Sequence, residues 1–463
     1  MGQTYVSFKG VYFHRDPLFR VKLLHRKMMS FGKRCQERVE KKQRASVSDI
    51  MKSEYPGDKM PVRNDTRRLT MKYDFDEIID RSGTHAVKVE GVSPEAPDDS
   101  VLAWIADMDF APPKPVLDAL EARLDRKIFG YTIYDNKKLK QAVTGWFKRR
   151  HDWIVDPQDI FYSPSIIPAL SVLIKVLTEP GDGIIIQSPV YTPFTTQIEG
   201  NDRRVFRSTL INDGGFYHMD YEDLERKFAD PDVKGMIFCN PHNPVGRVWT
   251  SEELETVTAI AKTHDKWIIS DEIHMDISRI GIRAIPLMTI APEYTHRIIA
   301  CTAPTKTFNL AGLGISNIVI PNKEYQRLWQ EVMDKQLHLS MASPLAIEAT
   351  IAAYEEGDEW LDQLKEYLDE NFRVLREFME RELPEAVMTQ SEGTYLAWIN
   401  LGFYCNDAGA LEKRLISHGV ILNQGLQFGE EGSCYVRMNL GMPRANLQEL
   451  LVRLKNAMES KGS

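Results

Sequence analysis

"GMIFCN" at 235–240, "TSEELETVTAIAKTH" at 250–264 and "WIISDE" at 267–272 are the three readings on which the fold of this chain turns. The two outer runs are apolar, with aromatic and β-branched side chains, as strands covered on both faces require. Between them, Thr250 and Glu253 stand in capping-box register ahead of an apolar stripe, which predicts a helix. Strand, helix and strand in that order make a βαβ unit with parallel strands. Outward from this unit, "GIIIQ" at 183–187 precedes it, and "RIIACT" at 297–302 and "SNIVI" at 316–320 follow, each separated by longer helical patterns. The expectation is an α/β fold: a large domain over 111–350 with a mainly parallel central sheet flanked by helices. After 351 the pattern changes to a long amphipathic helix, then "GTYLAWINL" and "YVRMNL" as strands and a helix from about Arg444. Residues 351–463 are therefore expected to form a smaller α+β domain, completed by 71–110.

The chain has 463 residues, 43% hydrophobic and 27% charged, which excludes collagen-like, coiled-coil and wholly disordered classes. No apolar stretch reaches the ~18 residues that a membrane-spanning helix needs; the run Ile166 to Leu177 is interrupted by Lys175. Cysteines at 35, 239, 301, 405 and 434 form no CxxC pair, so neither a metal site nor a disulfide framework is expected, and a reducing, cytoplasmic compartment is. Cys239 and Cys301, within apolar runs, read as core residues, and His85, His242 and His338 have no metal-ligand spacing. Residues 1–70 hold 17 Lys and Arg against 7 Asp and Glu, whereas the rest of the chain is acidic, which argues against a nucleic-acid partner. That basic extension, 1–70, reads as a disordered tail, as an organellar transit segment, or as sequence ahead of a functional start at Met71.

The chemistry-bearing residues fall just beyond the carboxyl ends of the strands, where open α/β sheets place their ligands. Successive strands lead to Tyr191 in "SPVYTPF", Asn243 in "NPHNPVGR", Asp271 in "SDEIH" and Lys306 in "APTKTFNLAGL". A lysine, a carboxylate, an amide and an aromatic ring on one rim suit pyridoxal phosphate. The amine can form a Schiff base with the aldehyde, and the carboxylate can keep the pyridine nitrogen protonated.

From Met71 onward the sequence resembles the fold-type I pyridoxal phosphate enzymes of the class I/II aminotransferase superfamily, on the last three of those motifs in that order. Within them it is similar to the C-S β-lyases of the cystathionine β-lyase type. That likeness is carried by "ADMDF" at 106–110, "FGYT" at 129–132, "SPSIIPAL" at 163–170, His274, and "AAYEEGDEWLDQL" at 352–364. The resemblance implies that Lys306 holds the cofactor and removes the substrate Cα proton, and that Asp271 pairs with the ring nitrogen. Asn243 and His274 stand near the 3-oxygen, Asn243 also serving the substrate, and Tyr191 stacks on the ring. The backbone of Ile166 and Ile167, the hydroxyl of Thr305, and Tyr131 from the neighbouring subunit of a homodimer serve the phosphate. Arg437 forks the substrate α-carboxylate. Gly314 departs from aspartate-type enzymes, which have an arginine there.

Plainer readings stand beside these: a core tyrosine at 191, an Asn-Pro turn at 243, a helix N-cap at 271, a core histidine at 274 and an exposed strand arginine at 437. The expected activity is elimination on an L-cysteine S-conjugate, giving thiol, pyruvate and ammonia. An aminotransferase is the rival, and a regulatory protein using the cofactor pocket is a third reading.

Overall fold

Seven strands form the central sheet of the computed structural model, which describes residues 73–460. The basic extension expected over 1–70 lies outside the described residues. In chain order the strands are β1 (Ile160–Ser163), β2 (Gly183–Ile186), β3 (Arg204–Arg207), β4 (Val233–Cys239), β5 (Trp267–Asp271), β6 (Ile298–Thr302) and β7 (Ser316–Val319). Their order across the sheet is β1-β7-β6-β5-β4-β2-β3. All neighbours are parallel except β7, which runs antiparallel to both β1 and β6. The sequence reading therefore found five of the seven strands. It passed over β1, whose residues alternate only partly, and β3, an edge strand bounded by Arg204 and Arg207 that lacks an apolar run.

The central strands are apolar throughout because the sheet is covered on both faces. Ile185, Met236, Phe238, Ile268 and Ala300 enter one hydrophobic cluster, while their chain neighbours Ile184, Ile186, Ile237, Ile269 and Ile299 enter another. The helix between β4 and β5, Ser251–Thr263, has its capping box: Thr250 Oγ1 accepts from Glu253 N–H, and the Glu253 carboxylate accepts from Thr250 N–H. Gly235 lets β4 approach β5 closely, since a Cβ there would lie 2.2 Å from the Trp267 ring. Cys239 and Cys301 are buried, and burial pushes both thiols upward, as core cysteines require.

A second, antiparallel sheet follows in the chain: β8 (Val387–Met388), β9 (Leu396–Asn400), β10 (Asn423–Gln424) and β11 (Tyr435–Asn439), ordered β8-β9-β11-β10. It has its own cluster with the closing helix Arg444–Glu459, and Ala103 joins it through the parallel pairing of Val101–Leu102 with Val420–Ile421. Phe75, Met108 and Phe110 pack instead with the first cluster, the two phenylalanine rings against Trp360 and Tyr367. Met71–Ser463 forms one compact unit. A chain begun at Met71 is accordingly expected to purify as a soluble protein with the thermal midpoint of the full chain, and a clearly lower midpoint in a calorimetric scan would overturn this.

Candidate active site

Adjacent parallel strands end together: Cys239 pairs with Asp271, and Asp271 with Cys301. The segments that leave β4, β5 and β6 therefore start from one rim. The first carries Asn243, the second Asp271 and His274, and the third the short turn Pro304–Thr307 with Lys306. Tyr191, after β2, joins them by donating its backbone N–H to Asn243 O at 3.2 Å.

Lys306 Nζ donates to the backbone oxygen of Ala106 at 2.6 Å, and Tyr395 Oη donates to the same oxygen at 3.0 Å. Burial, with Arg437 adding to it against Asp107 and Asp271, brings the Lys306 amine down to about 8. Asp271 is also buried, and burial pushes its carboxyl up to about 7 even though Ile273 N–H donates to it at 3.2 Å and Lys306 stabilises its charge. Burial first, then the charges of Lys306 and Arg437, push His274 down to about 3, so its imidazole is neutral. Its ring meets Tyr395 edge to face at 5.9 Å, and its Nδ1 is buried without a hydrogen-bond partner among the described residues.

Arg437, on β11, is buried among neutral acceptors. Nη1 donates to Asn243 Oδ1 at 3.1 Å, and Nη2 to Trp104 O at 3.1 Å and Asn423 Oδ1 at 2.6 Å; Nε has no partner among the described residues. The guanidinium lies over the Phe428 ring at 4.8 Å. No carboxylate of the described residues pairs with it, and burial lowers it to about 10. A desolvated cation with only dipoles around it is costly and favours an anion from outside.

Ile166 and Ile167 open the helix Ile166–Leu177, whose first-turn N–H groups donate no hydrogen bond to the Ser165 side chain at the N-cap. Pro168 has no N–H, so these two residues hold the helix's leading donors. Gly314, with φ +66°, lies beside this turn: a Cβ there would stand 3.6 Å from Pro164 O. Thr305 is buried next to Lys306. Tyr131 is not brought to this chain's own site. It is 94% exposed, within a stretch that also exposes Ile128, Phe129 and Ile133.

Sequence reasoning missed Tyr395, Asn423 and the carbonyls of Trp104 and Ala106. Tyr395 stood inside an apparent core strand, and backbone oxygens leave no mark in a sequence. It also missed how the 105–110 segment is held. Asn309 Nδ2 donates to Met108 O and Phe110 O, and Asn439 Nδ2 donates to Ile105 O and Asp107 O, all within 2.7–2.9 Å. Asp107 and Asp109 pair with Arg81, and Asp109 also with the buried Lys88 at 2.8 Å.

Residues 105–454 match the sequence family of class I and II aminotransferases. Cystathionine beta-lyase PatB of Bacillus subtilis is 38% identical over 391 residues, 83% of this chain and 99% of that protein. The PLP-bound C-S lyase from Staphylococcus hominis superposes with a TM-score of 0.80 at 38% identity, over 84% of this chain and 99% of its own. A PLP-bound putative aminotransferase from Clostridium difficile superposes with a TM-score of 0.81 at 39% identity, over 84% and 100%.

The raised pKa of Asp271 has a measurable sign. Unfolded, the carboxyl ionises near 3.8; folded, near 7. Keeping it protonated thus stabilises the fold fully below pH about 4, and this contribution is lost as pH rises toward 7, with an upper bound of ~4 kcal/mol. Asp271→Asn in ligand-free protein should melt higher than the unsubstituted chain at pH 8 and not at pH 4. Equal melting points at pH 8 would refute the assignment.

Proposed function

Because the chain belongs to the class I and II aminotransferase family, we propose that it is a pyridoxal 5'-phosphate-dependent carbon-sulfur lyase. Its substrates are L-cysteine S-conjugates such as cystathionine, cleaved by α,β-elimination to a thiol, pyruvate and ammonia. The observation that carries this reading is the buried Arg437 fork, without a carboxylate partner among the described residues, reaching from the second sheet to Asn243 on the rim that carries a lysine brought down to about 8.

The residues present fit the cofactor. Asp271 is a buried carboxylate in need of a cation, His274 Nδ1 is an unpartnered buried nitrogen, and the Ile166–Ile167 turn offers uncapped backbone donors. Asp271 would hold the ring nitrogen, Asn243 and His274 the 3-oxygen, Tyr191 the ring face, and Ile166, Ile167 and Thr305 the phosphate. Lys306 would be the covalent anchor. When bound, pyridoxal phosphate supplies an aldehyde for amine capture and a protonated ring that accepts electron density from the substrate Cα.

The chain's own residues divide the remaining work. Arg437 binds the α-carboxylate bidentately and so fixes which Cα bond stands across the ring. Lys306 Nζ, with a pKa of about 8, takes the Cα proton as a general base near neutral pH. Asp271, ionised once it faces a cation, keeps the ring nitrogen protonated. The Cβ–S bond then breaks with its electron pair on sulfur, and the three-carbon enamine left behind hydrolyses to pyruvate and ammonia. His274, pushed down to about 3, is neutral and contributes dipole and shape rather than charge.

The purified protein with a panel of L-cysteine conjugates should release pyruvate and thiol together without a keto acid. Transfer of the amino group to the cofactor with no pyruvate would favour an aminotransferase instead. Arg437→Ala leaves the carboxylate unpaired in a desolvated site, a cost of roughly 3 to 5 kcal/mol, or about two to four decades in kcat/KM. Cofactor occupancy should hardly change, and Arg437→Lys should recover only part of the loss. If Arg437→Ala sheds cofactor while its loaded fraction keeps kcat/KM, the residue serves the cofactor or the fold.

The exposure of Tyr131 among apolar neighbours supports a homodimer in which each subunit lends Tyr131 to the other's phosphate. On this reading, mixing Lys306→Ala with Tyr131→Ala chains should restore activity, since the hybrid dimer has one complete site. No recovery in subunit-exchanged mixtures would count against shared sites.

A further inference from the structure

One buried carboxylate joins two of the loops that make the site. Asp276 lies five residues after Asp271 and two after His274, on a loop turned back by Met275 N–H to Glu272 O and Ile277 N–H to His274 O, each at 3.0 Å. Its Oδ1 accepts from Trp146 Nε1 at 3.0 Å and lies 2.7 Å from His151 Nε2. Its Oδ2 accepts from the Thr307 hydroxyl at 2.7 Å. Trp146 and His151 come from the helix Lys137–His151, and Thr307 is the residue after Lys306. Burial alone would raise this carboxyl, but the bonds from His151, Thr307 and Trp146 outweigh it and hold Asp276 below the ordinary carboxylate range.

The helix that supplies two of these donors also braces the lysine turn directly. The Trp146 ring meets Phe308 edge to face at 5.3 Å, and Phe308 N–H closes the turn onto Pro304 O at 2.9 Å. Thr307 is fully buried, so its hydroxyl has no access to water. Charge-assisted hydrogen bonds of this kind are about twice as strong as neutral ones and are directional. The Asp276–Thr307 bond is therefore a stiff link between the loop bearing Asp271 and His274 and the turn bearing Lys306.

We propose that Asp276 is a positioning residue that, through the Thr307 hydroxyl, sets the Lys306 turn against the Asp271–His274 loop and so fixes where Nζ stands relative to the substrate Cα. The proposal rests on the reading of Lys306 as the proton-carrying group. It assigns Asp276 and Thr307 no contact with substrate or cofactor. A misplacement of about 1 Å in such a group costs on the order of 100-fold in rate, which sets the scale of the effect.

The test compares Thr307→Val, which keeps the shape and loses the hydroxyl, with Thr307→Ser, which keeps the hydroxyl, both as cofactor-loaded full-length chains. Thr307→Val should lower kcat by roughly 10- to 100-fold with KM within about two-fold, and should alter the visible circular dichroism of the bound cofactor. Thr307→Ser should restore most of kcat and the dichroism at a similar thermal midpoint. Asp276→Asn should behave like Thr307→Val; if it does not fold, the Thr307 pair still decides. Wild-type kcat and dichroism in Thr307→Val would overturn the proposal, as would parallel losses in Val and Ser that track only the melting temperature. If the wild type transfers amino groups instead of eliminating thiol, the substrate reading fails on that result alone. The Val–Ser difference is then read on the transfer reaction and still judges the link.

Discussion

The alignment of strand ends across the middle of the sheet is the constraint on which the site depends. Cys239, Asp271 and Cys301 are lateral partners, so three chain segments leave the sheet at one level. Parallel strands make this possible because each crossover helix returns the chain to the same starting edge. A lysine, a carboxylate and an amide that lie tens of residues apart in sequence thereby meet without a dedicated scaffold. The antiparallel β7 lies between β6 and the edge strand β1 and carries Asn317, whose Oδ1 accepts from Tyr134 Oη at 2.8 Å.

Opposed to that ordered rim stands the cost of burying its charges. Asp271, His274 and Arg437 are buried and Lys306 is half-buried, and desolvation shifts the pKa of each against its charged form. Around Arg437 the structure makes this tolerable with dipoles, the Asn243 and Asn423 amides and the Trp104 carbonyl, whereas Lys306 has the Ala106 carbonyl together with the charges of Asp107 and Asp271. Asp276 is the contrast. Its three donors outweigh its burial and hold it below the ordinary carboxylate range.

How much of this could be read from the sequence follows from range. The strands β2, β4, β5 and β6 were legible because burial on both faces leaves unbroken apolar runs, and the helix after β4 because its capping box is local. Asp271, Asn243, Tyr191 and Lys306 were legible because each directly follows a strand in a recognisable string. Tyr395 was not, because its place beside Lys306 arises from the docking of the second sheet, almost ninety residues further along the chain, and Asn423 was not, because it meets Arg437 only through the cross-strand pairing of β10 with β11. The Asp276–Thr307 link was hidden for a related reason: both residues sit inside quoted motifs, but nothing in either string says that the two touch. Asn309 and Asn439, which hold the 105–110 segment, look like ordinary turn and strand residues until the carbonyls they bind are seen.

Asp271 at about 7 and Lys306 at about 8 also make the rim a small reservoir of protons near neutrality. A ligand that places a cation against Asp271 drives off whatever proton that carboxyl holds, and an electrophile that captures the Lys306 amine drives off another. Both events release protons in the same direction. The heat of ligand binding measured by calorimetry will therefore contain the ionisation heat of the buffer, and the apparent enthalpy will differ between phosphate and Tris even where the affinity does not.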